Sequence, residues 1–216
     1  MRHLPSFTAS LFLIACSGNS ATTILEPLPD AGAADQDAQA VVDASPSLDA
    51  AVDATPKPGP IDPIAEGYEW SYDVKILGTY TLCQGGPQKG KVTGTTSFGG
   101  KSGFKLQSLC PKAGISDYAV TGDQVEVRVL EAGPWELALD APVAEGHGWS
   151  NAYGTFAWHA IAPELVGGKS QPDCWQAKDV NGASYTNYCR GVGPTHWHIE
   201  DKSGNGYDAV LTGINF

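Results

Sequence analysis

Hydrophobic and polar positions divide this chain into three stretches with different periods. Residues 4–15 form a twelve-residue, mostly apolar run, broken by Pro5, Ser6, Thr8 and Ser10 and preceded by Arg2 and His3. That is too short for a membrane span, which needs about 20 residues, and it has the length and basic start of a secretory h-region. Residues 17–60 show no apolar period. From residue 61 onward, apolar side chains recur at every second position in short segments, the pattern of half-buried strands.

The third stretch reads as a succession of hairpins. Trp70, Tyr72, Val74 and Ile76 alternate with Ser71, Asp73 and Lys75. A Gly- and Pro-rich loop is expected over 84–90. Strands over 91–98 and 101–109 flank Gly99-Gly100, and strands over 115–121 and 124–130 flank Gly122-Asp123. In the return strand of the second hairpin, Val125, Val127 and Val129 share a face. A short strand is expected over 134–139, and one or two strands over 149–161, with Phe156 and Trp158 on one face. Segments 174–180 and 183–190 flank Asn181-Gly182, a type I′ signal because both residues tolerate positive φ. A last pair, 196–200 and 207–216, is joined through Ser203-Gly204-Asn205-Gly206. Short strands with hairpin turns throughout predict an all-β, antiparallel domain: a strongly curved sheet, a sandwich or a partly open barrel.

Composition sets the domain boundaries. Residues 17–60 are built from Ala, Asp, Pro, Ser and Thr, with Asp-Ala recurring at 30, 37, 43, 49 and 53. Seven acids face Lys57 alone, so this stretch carries much of the chain's net charge of −11. A segment so poor in apolar residues buries too little area to offset its ordering entropy. It is expected to be a disordered tether. Its acids lack the spacing, glycine turn and terminal glutamate of a calcium-binding EF-hand loop. The organisation predicted is therefore 1–15 signal peptide, 16–60 tether and 61–216 β domain. That domain holds all six Trp and all eight Tyr and is itself acidic. An acidic surface argues against nucleic acid as a partner, because phosphate neutralisation needs clustered Lys and Arg.

Four cysteines fall in the β domain, Cys83, Cys110, Cys174 and Cys189. An even number in an exported domain predicts two disulfides. A turn centred on Asn181-Gly182 puts Cys174 opposite Cys189, within disulfide reach, which leaves Cys83 for Cys110. A four-cysteine zinc site is the competing arrangement, but structural zinc sites use close cysteine pairs and none is present here.

The fifth cysteine closes the run Leu13-Ile14-Ala15-Cys16. This run resembles the lipobox of bacterial lipoproteins. The resemblance implies cleavage before Cys16, a diacylglycerol thioether on its sulfur and acylation of the new amino group, with palmitate among the chains. Two or three acyl chains anchor firmly where one does not. Ser17 in place of aspartate implies the outer membrane of the cell envelope. No cofactor is implied beyond this covalent lipid. The partners implied are the membrane itself and an envelope protein, glycan or lipid.

A second resemblance brackets the β domain. The opening Gly67-Tyr68-Glu69-Trp70-Ser71-Tyr72 is similar to the Gly-Asn-x-Trp-x-Tyr start of a group of uncharacterised exported bacterial domains, with Tyr68 where Asn is usual. Near the end, Gly191-Val192-Gly193 and the strand 206–211 resemble that group's closing pattern, with Cys189-Arg190 where Ala-Pro is usual. The resemblance implies an antiparallel β domain carried on a lipoprotein and assigns no catalytic residue.

No nucleophile elbow, His-Glu-x-x-His, phosphate loop or Cys-x-x-Cys is present, so catalysis is not expected. One cluster carries chemistry. If 196–200 is a strand, Trp197 and Ile199 face the core, while His196, His198 and Glu200 share the outer face. That is a candidate Zn²⁺ or Cu²⁺ site if His147 or His159 completes it. The tryptophans 135, 149, 158, 175 and 197 are candidates to line a concave sheet face. The pattern points first to a noncatalytic binding or structural module. A carrier of an apolar or lipid ligand in a curved β-sheet cavity and a metal-dependent hydrolase using His196/His198 remain as alternatives. A large apolar cavity would select the carrier.

Overall fold

A computed structural model describes residues 59–216. The expected signal peptide, Cys16 and nearly all of the tether lie outside the described residues. The described residues belong to one unit.

Fourteen strands follow in chain order: β1 (Glu69–Leu77), β2 (Gly86–Phe98), β3 (Lys101–Gln107), β4 (Ile115–Thr121), β5 (Gln124–Arg128), β6 (Glu136–Leu139), β7 (Gly148–Asn151), β8 (Gly154–Ala160), β9 (Glu164–Val166), β10 (Lys169–Gln171), β11 (Cys174–Asp179), β12 (Tyr185–Cys189), β13 (Gly193–Glu200) and β14 (Gly206–Ile214). Twelve of them make a single antiparallel sheet in the order β6-β5-β4-β3-β2-β1-β14-β13-β12-β11-β8-β7. The remaining two, β9 and β10, form a separate hairpin. That hairpin reaches the sheet through Glu164, whose carboxylate accepts from Asn187 Nδ2 at 2.6 Å.

The two ends of the sheet, β6 and β7, are consecutive in the chain and lie side by side, so the sheet is nearly closed as a barrel. No ladder joins them. Three side-chain donors bond to the carbonyls of the β6 edge and its exit instead. Trp149 Nε1 donates to Ala138 O at 3.1 Å, Asn151 Nδ2 to Leu137 O at 2.6 Å and Trp158 Nε1 to Asp140 O at 2.8 Å. An unpaired edge carbonyl facing an apolar interior is costly, and these donors remove that cost.

Most predicted hairpins are present. Gly99 and Gly100 both take positive φ, 62° and 77°, and set Phe98 opposite Lys101. At Gly206 the backbone approaches so closely that an added Cβ would fall 1.7 Å from Ile199 O, so the start of β14 admits only glycine.

Three expectations are corrected. The predicted loop 84–90 is largely strand: β2 begins at Gly86 and pairs with β1 as far as Lys91. Pro87 is tolerated there because it needs no ladder donor at that position. Val129 does not continue the face of Val125 and Val127, because the chain leaves β5 in a tight turn where Leu130 and Glu131 take positive φ. The turn after β11 is not type I′, since neither Asn181 nor Gly182 has positive φ. The Asp179 carboxylate accepts the Asn181 N–H at 2.9 Å and shapes a wider loop. Register survives that change, with Cys174 opposite Cys189.

The structure joins Cys174 to Cys189 and Cys83 to Cys110, with Cα atoms 4.1 and 4.2 Å apart. On β4 the fully buried Asp117 pairs with Arg128 of β5, and the guanidinium lies 4.0 Å over the Phe98 ring.

Candidate functional site

The inward positions of the curled sheet do not fill it. A cavity of about 340 Å³ runs through the interior, lined from β1 round to β14. This is within the range of about 300–1,000 Å³ typical of small-molecule sites. Its wall is aromatic and aliphatic: Trp70, Tyr72, Tyr118, Trp149, Tyr188 and Trp197 stand among Leu106, Leu109, Val125, Val127 and Ile199. Tyr153, 44% exposed, borders both the cavity and the surface. The interior therefore meets solvent beside the β7–β8 turn.

Strand period places these rings. Trp70 and Tyr72 are two apart on β1, and Trp197 and Ile199 two apart on β13, so each pair points the same way. Polar tips of the wall are anchored where a backbone acceptor is near. Trp70 Nε1 donates to Val192 O at 2.7 Å and the Tyr72 hydroxyl to Pro194 O at 2.8 Å. The Trp197 N–H lies close to the Tyr72 hydroxyl but makes no hydrogen bond.

A segment ahead of β1 completes the interior. Ile61 is fully buried against Val125, Leu139, Trp149, Trp158, Ala177 and Tyr188. Its N–H donates to Asp123 Oδ1 at 3.0 Å, and Pro60 O accepts from Gly191 N at 2.9 Å. Arg190 clamps this end, bonding Asp123 at 2.6 Å and Asp173 at 2.9 Å.

Asp62, the next residue, lines the cavity and is 7% exposed. Among the described residues it is the one acidic or basic residue in the lining, which includes no Lys, Arg or His. Burial pushes its carboxyl up to about 7, with no hydrogen bond or cation to oppose the shift. Tyr72, Tyr118 and Tyr188 are held above the ordinary phenol range, first by burial and then by the charge of Asp62.

The expected tryptophan set is partly reassigned. Trp149 and Trp197 line the cavity, and Trp70 joins them. Trp158 is fully buried in the wall behind, against Trp149 and Tyr188. Trp135 and Trp175 do not line it; their N–H groups donate to Phe98 O and Asp173 Oδ1.

The predicted alternation of residues 196–200 holds, with Trp197 and Ile199 turned inward. On the other face, Asp208 of β14 bonds His196 Nε2 at 3.1 Å and His198 Nδ1 at 3.0 Å, and Glu200 bonds His198 Nε2 at 3.1 Å. Partial burial opposes the charge on Asp208, but the two imidazoles outweigh it and hold its carboxyl below the usual range. Tyr185 stacks on the His198 ring at 5.0 Å. Among the described residues, no group of three or more His, Cys, Asp or Glu side chains is arranged to hold a metal ion. His147 and His159 do not join this cluster; they bond Asp140 and Glu145.

Comparison with known proteins adds one finding. No family model matches the chain, and no curated protein matches it. A crystal structure of a candidate lipoprotein from Parabacteroides distasonis shares 10% identity with this chain at a TM-score of 0.40, over 74% of this chain and 100% of that one.

Proposed function

We propose that the chain is a lipid-anchored cell-envelope protein whose β domain carries a small apolar molecule inside its barrel. The observation that supports this most is the cavity of about 340 Å³ walled by tryptophan, tyrosine and aliphatic side chains. A domain with a purely structural role gains stability by filling such a space, because an unfilled volume forfeits dispersion contacts along its whole lining. The lipobox ending at Cys16 and the acidic tether support attachment at the envelope, and Ser17 supports the outer membrane as the surface occupied.

The test is a titration with N-phenyl-1-naphthylamine, an apolar dye that fluoresces when it leaves water. Trp70, Trp149 and Trp197 line the cavity and would transfer excitation to a dye held there. Saturable binding of one dye per chain, with quenched tryptophan emission, is the expected result. Ala177→Phe places a ring into the cavity from β11, where Ala177 is 6% exposed, and is expected to abolish the transfer while circular dichroism stays unchanged. Dye binding that survives Ala177→Phe, or that never saturates, would count against the carrier.

A further inference from the structure

The cavity contains one acidic group that the fold leaves without a hydrogen-bonding partner among the described residues. Asp62 is more than nine-tenths buried and, among the described residues, accepts no hydrogen bond and has no cation beside it. Its neighbours are rings and backbone. A Cβ placed on Gly193 would sit 3.0 Å from Asp62 Oδ1 and 3.1 Å from Trp70 Nε1, so the carboxyl lies beside the Trp70 indole. The Trp70 N–H is already given to Val192 O. Tyr72, Tyr118 and Tyr188 are close enough to feel the charge of Asp62, yet none donates to it. A carboxylate set against an apolar wall without a hydrogen-bonding partner is costly. Here it stands in an apolar chamber whose walls present aromatic faces.

An organic ammonium answers both features. Its N–H groups would satisfy the carboxylate through charge-assisted hydrogen bonds. Aromatic faces around it attract the same positive charge. Its hydrocarbon part would take up the remaining, uncharged wall. A fatty acid fails on the first count, because its carboxylate would meet Asp62 with like charge. A neutral alcohol gains the apolar contacts alone.

We infer that the occupant of this cavity is an apolar molecule bearing an amine, held with its ammonium group against Asp62. This rests on the carrier reading above and narrows it to one ligand class.

The test is displacement of bound N-phenyl-1-naphthylamine from the full chain carrying Cys16→Ser at pH 7.5. Three ten-carbon competitors share one tail: decylammonium, decanol and decanoate. Decylammonium is expected to displace the dye at a concentration about tenfold or more below decanol, the ratio set by one hydrogen bond to a charged group. Decanoate is expected to be the weakest. In Asp62→Asn the ratio of amine to alcohol should collapse to about one. A second measurement needs no variant. Decylammonium keeps its charge from pH 5 to 8, so in the wild type its advantage over decanol should shrink as acid protonates Asp62, the one lining group that titrates in that range.

The outcomes separate the two readings. If neither decanol nor decylammonium displaces the dye, the apolar cavity is not a binding site and both readings fall. If the two displace it equally in the wild type, the carrier stands and the assignment to Asp62 is overturned. An amine preference that persists in Asp62→Asn and does not change with pH overturns it as well.

Discussion

The stability of the wild-type chain is expected to fall between about pH 4 and 7, and Asp62→Asn is expected to remove that fall. The sign follows from proton counting. In the unfolded chain Asp62 releases its proton near 3.8, whereas burial in the folded chain pushes the carboxyl up to about 7. Between those values the folded state binds the extra proton, so raising the pH favours unfolding. The penalty is complete above pH 7 and amounts to roughly 4 kcal/mol at about 1.4 kcal/mol per pH unit. Glu69, Glu145, Asp201 and Asp208 are shifted downward and act in the opposite direction, strengthening the fold as pH rises out of the acid range. They are common to both proteins, so the difference between the two profiles isolates Asp62. Guanidinium unfolding at pH 4.5, 6 and 8 measures it. Parallel profiles would mean that Asp62 is solvated or paired in the folded chain. A carboxylate that weakens the fold and accepts no hydrogen bond among the described residues is where a ligand has most to offer, which links this stability measurement to the binding proposal.

Trp158→Ala is expected to cost about 3–5 kcal/mol, the range for deleting a buried aromatic ring. Trp158 is fully buried and packs at 5.2 Å from Trp149 and 5.9 Å from Tyr188. It also carries one of the three donors at the seam between β6 and β7, through its bond to Asp140 O. Removing it empties the wall behind the cavity and strips a carbonyl of its partner, and the second loss adds to the first. The comparison is Trp135→Ala, whose ring lies outside this cluster and whose N–H reaches Phe98 O from an exposed site. A far smaller loss is expected there. Denaturant midpoints of the two variants decide the matter; equal losses would mean that the seam does not hold the barrel together.

The architecture was legible because the strands are amphipathic and their turns are short. Alternation through Trp70, Tyr72 and Val74 and the glycine pair 99–100 each state a local preference that the fold obeys. Where the prediction failed, a neighbouring strand or a side-chain hydrogen bond had taken over. The start of β2 looked like loop because Gly and Pro dominate it, yet β1 supplies its ladder. Asn181-Gly182 carried the right turn residues, but the Asp179 side chain redirected the loop.

The candidate site was less legible. Trp149 and Trp197 were visible as rings on strands, and nothing local distinguishes them from Trp175, which points elsewhere. Asp62 follows a tether rich in aspartate, and its composition resembles that tether. Its importance comes from Ile61, whose burial draws the segment inward, and from Arg190 and Asp123, which hold it there. Asp123 lies in a predicted turn and Arg190 at the end of a predicted strand, and nothing local in the sequence ties either to residue 61. The apolar pattern Pro60-Ile61-Asp62-Pro63-Ile64, set against the tether before it, was the one available signal.

The central claim is that the barrel is hollow and apolar inside, and xenon tests it most directly. Xenon occupies dry apolar cavities and avoids filled or hydrated ones. In crystals of the chain pressurised with xenon, anomalous density is predicted within the ring formed by Tyr72, Trp149, Tyr188 and Trp197. An interior without xenon, packed by side chains or filled by ordered water, would contradict it.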